Sequence, residues 1–194
     1  MSAEIHPRVE EAASGRLPEW ARATSARRAH MARVAELLEG WAHALELDRT
    51  DVLRWRAAGF LHDALRDADP EALRDQVPPG QAVLPGPVLH GPAAARRLRE
   101  DGMDDDALLR AVAYHTLGHP ELDRLGRALY VADFLEPGRT FRNGWRRGLR
   151  ERMPGELGEV VREVLAARIT HQVGRGGLLL APTVDFWNVV AAEG

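Results

Sequence analysis

Four histidines and two aspartates stand at His30, His62, Asp63, His90, His115 and Asp133, and most of them fall where a helix would otherwise place an apolar core residue. A buried imidazole or carboxylate has to be paired, and a bound cation is a partner that satisfies several such groups together. Neutral imidazole nitrogen and carboxylate oxygen are the donors that bind zinc, iron or manganese at roughly 2.0 to 2.2 Å. Six protein donors exceed what one catalytic ion takes while a position stays open for water. Two ions fit better, about 3.5 to 4 Å apart, sharing Asp63 and an activated hydroxide, which is the centre of a metal-dependent hydrolase.

Each residue also has an ordinary structural explanation. A lone histidine such as His30 on an apolar face is usually held by a backbone carbonyl. Asp133 can pair with Arg139 or Arg27, and adjacent His-Asp pairs are common by chance. The set carries the argument, because no single structural reason places six such groups on inward faces of different helices. His6, His43, His119 and His171 read as structural, with His119 the nearest of them in sequence to the site.

The elements that must position these groups are helical. From Ser25 to about Ala44, Val34, Leu37, Leu38 and Trp41 recur at steps of three and four, with His30 one turn ahead on the same face. Thr50 is read as the N-cap of a largely apolar helix from Asp51 to about Leu65, which His62 and Asp63 close. A short helix near Glu71 to Asp75 precedes a proline-rich loop through Pro87. Helices are expected from about Val88 to Glu100, from Asp105 to Tyr114 and from Leu122 to about Leu135. On these, His115 follows the stripe of Leu108, Ala111 and Val112, and Asp133 stacks with Leu125 and Leu129. Residues 139 to 148 read as a basic, glycine-punctuated segment. An amphipathic helix from Gly155 to about Val173 and a final one capped by Thr183 complete an all-α, single-domain bundle over residues 19–194. Residues 1–18 read as a loose N-terminal lead-in.

Composition narrows the partners. The 194 residues, 45% of them hydrophobic, suit one domain, and a net charge of −3 without charge blocks argues against nucleic acid or a membrane surface. Small molecules are the expected ligands. With no cysteine, any metal must be held by nitrogen and oxygen. No signal peptide or membrane-spanning stretch is read from the sequence, so a cytoplasmic protein is expected, as monomer or homodimer. All 26 basic residues are arginine, from which no function is drawn.

Histidine, then His-Asp, then histidine, histidine and aspartate in that order resembles the HD-domain metal-dependent phosphohydrolases. Local strings extend the similarity: Arg27-Arg28-Ala29-His30, Leu61-His62-Asp63, Leu89-His90-Gly91-Pro92, Tyr114-His115-Thr116-Leu117-Gly118, and Ala132-Asp133-Phe134-Leu135-Glu136-Pro137-Gly138-Arg139. The last string, completed by Phe141, is the most discriminating, because the general pattern does not require it. With it the chain looks like the YqeK-like branch, the symmetrical bis(5'-nucleosyl)-tetraphosphatases.

The resemblance implies an all-helical domain and cleavage of diadenosine tetraphosphate to two ADP by a hydroxide that two metal ions activate. It implies His30, His62, Asp63, His90, His115 and Asp133 as ligands of two ions, often iron, with manganese and zinc also compatible with the donors. Asp63 would bridge the ions. Arg66 and Arg139 are the candidates for neutralising the tetraphosphate, so Asp63 and Arg66 are expected to be catalytic and Arg27, Arg66, Thr116 and Arg139 to touch substrate. Two departures stand out. Arg66 replaces the family's lysine, keeping the charge but adding bulk, and Gly138 replaces an asparagine in the loop before Arg139. Two rival readings remain: an HD-type phosphatase or phosphodiesterase for another nucleotide, and a non-catalytic nucleotide-binding module.

Overall fold

The 3.6-residue periodicity resolves into helices and turns throughout the described residues, 5–193, of the computed structural model. In chain order they are α1 (Pro7–Ala13), α2 (Ser25–Ala44), α3 (Arg49–Leu61), α4 (Pro70–Arg74), α5 (His90–Glu100), α6 (Asp106–Tyr114), α7 (Arg124–Leu135), α8 (Asn143–Arg152), α9 (Leu157–Gly174) and α10 (Ala181–Ala192). Short 3-10 turns at Pro79–Gln81 and Gly86–Val88 bridge α4 and α5. Among the described residues no helix is long and apolar enough to cross a membrane.

Short polar side chains set the helix starts by accepting from orphan N–H groups of the first turn. Thr24 caps α2, Asp48 caps α3, Asp105 caps α6 and Asp123 caps α7. The helices then bury one stripe each around a centre formed by α3 and α7. Helix α3 packs on α1, α2, α6 and α7, while α7 packs on α2, α3, α6, α8 and α9. Leu38, Leu61, Leu129, Val164 and Phe186, from five different helices, are all fully enclosed.

Two close approaches shape this packing. A Cβ on Gly59 of α3 would lie 2.6 Å from the backbone nitrogen of Ala35 in α2, and one on Gly91 of α5 would lie 2.8 Å from the carbonyl oxygens of Val112 and Ala113 in α6. Only glycine lets the helix pairs α2–α3 and α5–α6 come this near, and each pair carries histidines of the candidate centre.

Several sequence expectations need correction. Part of the supposed lead-in is helix α1, whose Val9, Ala12 and Ala13 are buried, and Arg56 of α3 donates to the carbonyl of Ala13. Residues 1–4 of that lead-in lie outside the described residues. Asp48, not Thr50, caps α3, because its carboxylate accepts from Asp51 N at 2.9 Å and favours the positive helix end. That helix stops at Leu61 rather than Leu65, so His62 and Asp63 sit on the turn beyond it. Thr183 lies inside α10, where its hydroxyl donates to the carbonyl of Leu117 at 2.8 Å. The glycine-punctuated segment contains α8, a helix that local propensity disfavours and tertiary contacts rescue: Leu149 is buried, and Arg146 lies over the Phe134 ring.

Candidate metal centre

Helix ends and one helix interior bring the six groups together. His30 projects from the first half of α2 and Asp133 from the last turn of α7, while His62 and Asp63 follow α3, His90 opens α5 and His115 follows α6. All four histidines and Asp63 are buried.

Nδ1 of three of the histidines is committed to a hydrogen-bond acceptor. The carbonyls of Gly59, Pro87 and Val112 accept from Nδ1 of His62, His90 and His115 at 2.8, 3.0 and 2.8 Å, in every case three residues back along the chain. A carbonyl can only accept, so the Nδ1 tautomer is imposed and Nε2 presents a lone pair. His30 Nδ1 faces the carboxylate of Glu136 at 3.4 Å, which favours a proton on that nitrogen.

The four lone pairs point at one another. His30 and His62 approach Nε2 to Nε2 at 3.3 Å, and His90 and His115 do so at 3.1 Å. Two lone pairs at that distance repel unless something positive lies between or beside them. Asp63 spans both pairs: its Oδ1 is 3.1 Å from His90 Nε2 and 3.4 Å from His115 Nε2, and its Oδ2 is 3.6 Å from Nε2 of both His30 and His62. Asp133 Oδ1 adds a donor 3.3 Å from His30 Nε2. Two donor groups, His30–His62–Asp133 and His62–Asp63–His115, each have ligand atoms within 4.8 Å of one another, close enough to surround a metal ion.

Protonation favours the same conclusion. Burial pushes the His62 imidazole down to about 4, against the pull of Asp63, and burial likewise lowers His90, so neither ring carries a proton on Nε2 near neutrality. Burial alone would raise the Asp63 carboxyl, but Arg27 donates to its Oδ2 at 2.7 Å and favours the ionised form. Asp133 is held low against its burial, with Arg139 donating to its Oδ1 at 2.7 Å. Neutral imidazoles and ionised carboxylates are the donor forms that metal ions require, so the residues present fit a metal centre.

Arginines ring the mouth. Arg27 donates to Asp63 Oδ2 at 2.7 Å and lies 3.5 Å from Asp67, and Arg139 donates to Asp133 Oδ1 at 2.7 Å and to the Asp133 carbonyl at 2.9 Å. The structural pairing considered for Asp133 is therefore made, and by Arg139, while Arg27 serves Asp63. Arg66 lines the same cleft of about 300 Å³ with Arg27, Thr116 and Arg139. Thr116 Oγ1 donates to His115 Nε2 at 3.1 Å, so it touches a candidate ligand. Of the other histidines, His6 caps α1, His119 packs on Tyr114 with ring centroids 4.3 Å apart, and His171 lines a neighbouring cavity.

Two residues escaped the sequence reading. Glu136 is buried and ties the end of α7 to α2, facing His30, accepting from Arg33 Nε, and accepting from Gly138 N at 2.8 Å. Its position three residues after Asp133 was the available signal. Gly138, in the place of an asparagine, is tied by that bond and packs under the Arg33 guanidinium, which fills the side-chain space. Arg168, on the amphipathic helix α9, is the other. Its guanidinium stacks 4.6 Å over Tyr130, donates to the Thr116 carbonyl at 2.8 Å and lies 4.0 Å from Asp133 Oδ2.

The HD domain family model matches residues 27–138. The chain is 32% identical over 117 residues to a protein of Staphylococcus aureus, covering 57% of this chain and 59% of that one, and 33% identical over 90 residues to one of Bacillus subtilis, covering 43% and 48%. A protein of Halalkalibacterium halodurans is 38% identical over 55 residues, covering 28% of this chain and 29% of that one. All three are named symmetrical bis(5'-nucleosyl)-tetraphosphatase. The chain spans about three fifths or less of the length of these curated relatives. A crystal structure from Clostridium acetobutylicum, described as a predicted HD superfamily hydrolase involved in NAD metabolism, superposes with a TM-score of 0.77 at 22% identity, covering 96% of this chain and 97% of that one, and shows the fold to be shared. The family match encloses both histidine pairs and both aspartates, and the chain belongs to the HD domain family.

Proposed function

We propose that this protein is a metal-dependent phosphohydrolase that cleaves dinucleoside tetraphosphates symmetrically, converting diadenosine tetraphosphate and water to two ADP. The observation that carries the hydrolase reading is the double pairing of Nε2 lone pairs across the two oxygens of Asp63. A purely binding module has no evident need for such a centre. The choice of substrate rests on the similarity to proteins named for that activity.

His30, His62, Asp63, His90, His115 and Asp133 would hold two cations, with Asp63 shared between them; iron, manganese and zinc all accept the donor set. Bound there, such ions lower the pKa of water toward neutrality and polarise a phosphoryl oxygen. The rest of the chemistry belongs to side chains around the mouth. Arg66 and Arg139 oppose the charge of the tetraphosphate and of the departing ADP, since guanidinium groups engage phosphate oxygens in pairs. Arg27 supports Asp63, and Thr116 sits where a hydroxyl can donate either to His115 or to a phosphate oxygen.

Metal analysis of the purified protein, with chromatography of the products from diadenosine tetraphosphate, tests the reading. ADP as the sole nucleotide product is expected. ATP with AMP, or free phosphate, would overturn the symmetrical cleavage, and turnover of a nucleoside monophosphate or cyclic dinucleotide alone would favour the phosphatase or phosphodiesterase alternative.

A further inference from the structure

Beside the metal centre, sharing Asp133 and Arg139 with its cleft, lies a larger cavity of about 720 Å³ between the end of α7, the α7–α8 loop, α8 and α9. That is within the range of about 300 to 1,000 Å³ usual for small-molecule sites. Its wall is rich in rings and guanidinium groups. Phe134 and Trp145 meet edge to face at 5.9 Å, Arg142 lies 4.4 Å over Trp145, and Arg146 lies 3.9 Å over Phe134. Phe141, at the same wall, is 75% exposed, so its ring face is open to a ligand in the cavity. Arg139 and Arg168 stand at the end nearest the centre, and Asp133 is the only carboxylate in the lining.

This is the chemistry of a ligand with a flat aromatic part and an anionic part. A nucleobase stacks on aromatic faces irrespective of its sequence of donors, and phosphates pair with arginine. Arg139 and Arg168 give the direction, because they lie 2.7 and 4.0 Å from Asp133 at the metal centre. On the far side of Arg168 a second cavity, of about 530 Å³, is walled mainly by aliphatic carbon from residues such as Val88, Leu117 and Leu180, and offers a base less to stack on.

We propose that the arginine–aromatic cavity is the subsite for one nucleoside diphosphate half of the substrate, with the base against Phe141 and Trp145 and the phosphates led by Arg168 and Arg139 toward the metal centre. The inference rests on the proposed hydrolysis of dinucleoside tetraphosphates and assigns to this chain the residues that would select for a nucleoside. Arg142, held over Trp145 in a left-handed backbone conformation with φ of 52°, is the group a base would meet or displace.

The test is binding of ADP and of inorganic pyrophosphate by calorimetry, together with tryptophan fluorescence. Phe141→Ala, at an exposed position, is expected to weaken ADP about ten-fold while changing pyrophosphate less than two-fold, because one base-stacking contact is worth about 1–3 kcal/mol and 1.4 kcal/mol is a factor of ten. ADP is expected to quench the fluorescence of the wild-type protein, and Trp145→Phe to abolish the quench while ADP still binds. Unchanged ADP affinity in Phe141→Ala, equal weakening of both ligands, or a quench that survives in Trp145→Phe would each overturn the subsite. The reading of function fails separately: if wild-type protein binds ADP in this way yet releases none from diadenosine tetraphosphate, the substrate assignment falls while the subsite stands.

Discussion

At the scale of single residues, Asp63 and Glu136 do different jobs that a substitution can separate. Asp63 faces both histidine pairs, so Asp63→Ala is expected to abolish cation binding and turnover together, as read by metal analysis and product chromatography. Arg139 is 41% exposed and contributes no candidate ligand atom. Arg139→Ala should therefore keep the cations and raise KM for the tetraphosphate, and a protein that loses its metal instead would contradict the role given to this arginine. Glu136 acts through His30, whose ring it orients. Outer carboxylates of this kind typically affect metal affinity by about 10–100-fold, so Glu136→Gln is expected to weaken Mn²⁺ binding by that order in a direct titration, with the helical circular dichroism unchanged.

At the scale of elements, the two helix pairs must touch for their histidines to meet. Gly59 and Gly91 permit this, and Gly91 abuts the same Val112 carbonyl that sets the His115 tautomer. Gly91→Ala is expected to cost about 1–3 kcal/mol by overpacking and to loosen cation binding as well, whereas a core substitution of similar cost away from α5 and α6 should affect stability alone. Chemical denaturation compared with metal titration distinguishes these. Helix α6 depends on Asp105, which caps it and also receives a two-pronged contact from Arg54 at 2.6 and 3.0 Å. Burial would raise the Asp105 carboxyl, but the Arg54 bonds and the Leu108 N–H lower it overall. A depressed carboxyl stabilises the fold above its unfolded pKa of about 3.9 and loses that contribution as pH falls through the lower folded value. Asp105→Asn should accordingly be less stable than wild type at neutral pH, with the gap narrowing below about pH 4 in urea melts.

At the scale of the whole molecule, the proposed cations tie α2, α3, α5, α6 and α7 together. Anything that binds the native state alone stabilises it by mass action, about 2.7 kcal/mol when free ligand is 100 times Kd. Thermal melts should therefore fall in Tm with excess chelator and recover on addition of Mn²⁺. Asp63→Ala should show neither response, and a wild-type Tm indifferent to chelation would count against a centre shared by five helices.

Much of this arrangement could be read before any coordinates were seen. Helical spacing around His30 and Asp133 placed them on buried faces, and a buried group that wants charge or a lone pair satisfied is visible from residue type alone. The order of the six candidate ligands along the chain is likewise a property of sequence. The failures were at places where local preference is weak: α8, with Gly144 and Gly148, forms because Leu149 and Arg146 have a surface to pack on, and α1 forms against α3. Which nitrogen of each histidine faces inward, that Asp63 lies between two pairs, that Glu136 stands behind His30, and that Arg168 and the ring-lined cavity adjoin the centre were decided only by the tertiary structure. The reason is physical. Periodicity reports which face of one helix is buried, but distances between groups on different helices depend on how closely those helices approach, and here two glycines and a set of backbone carbonyls determine that.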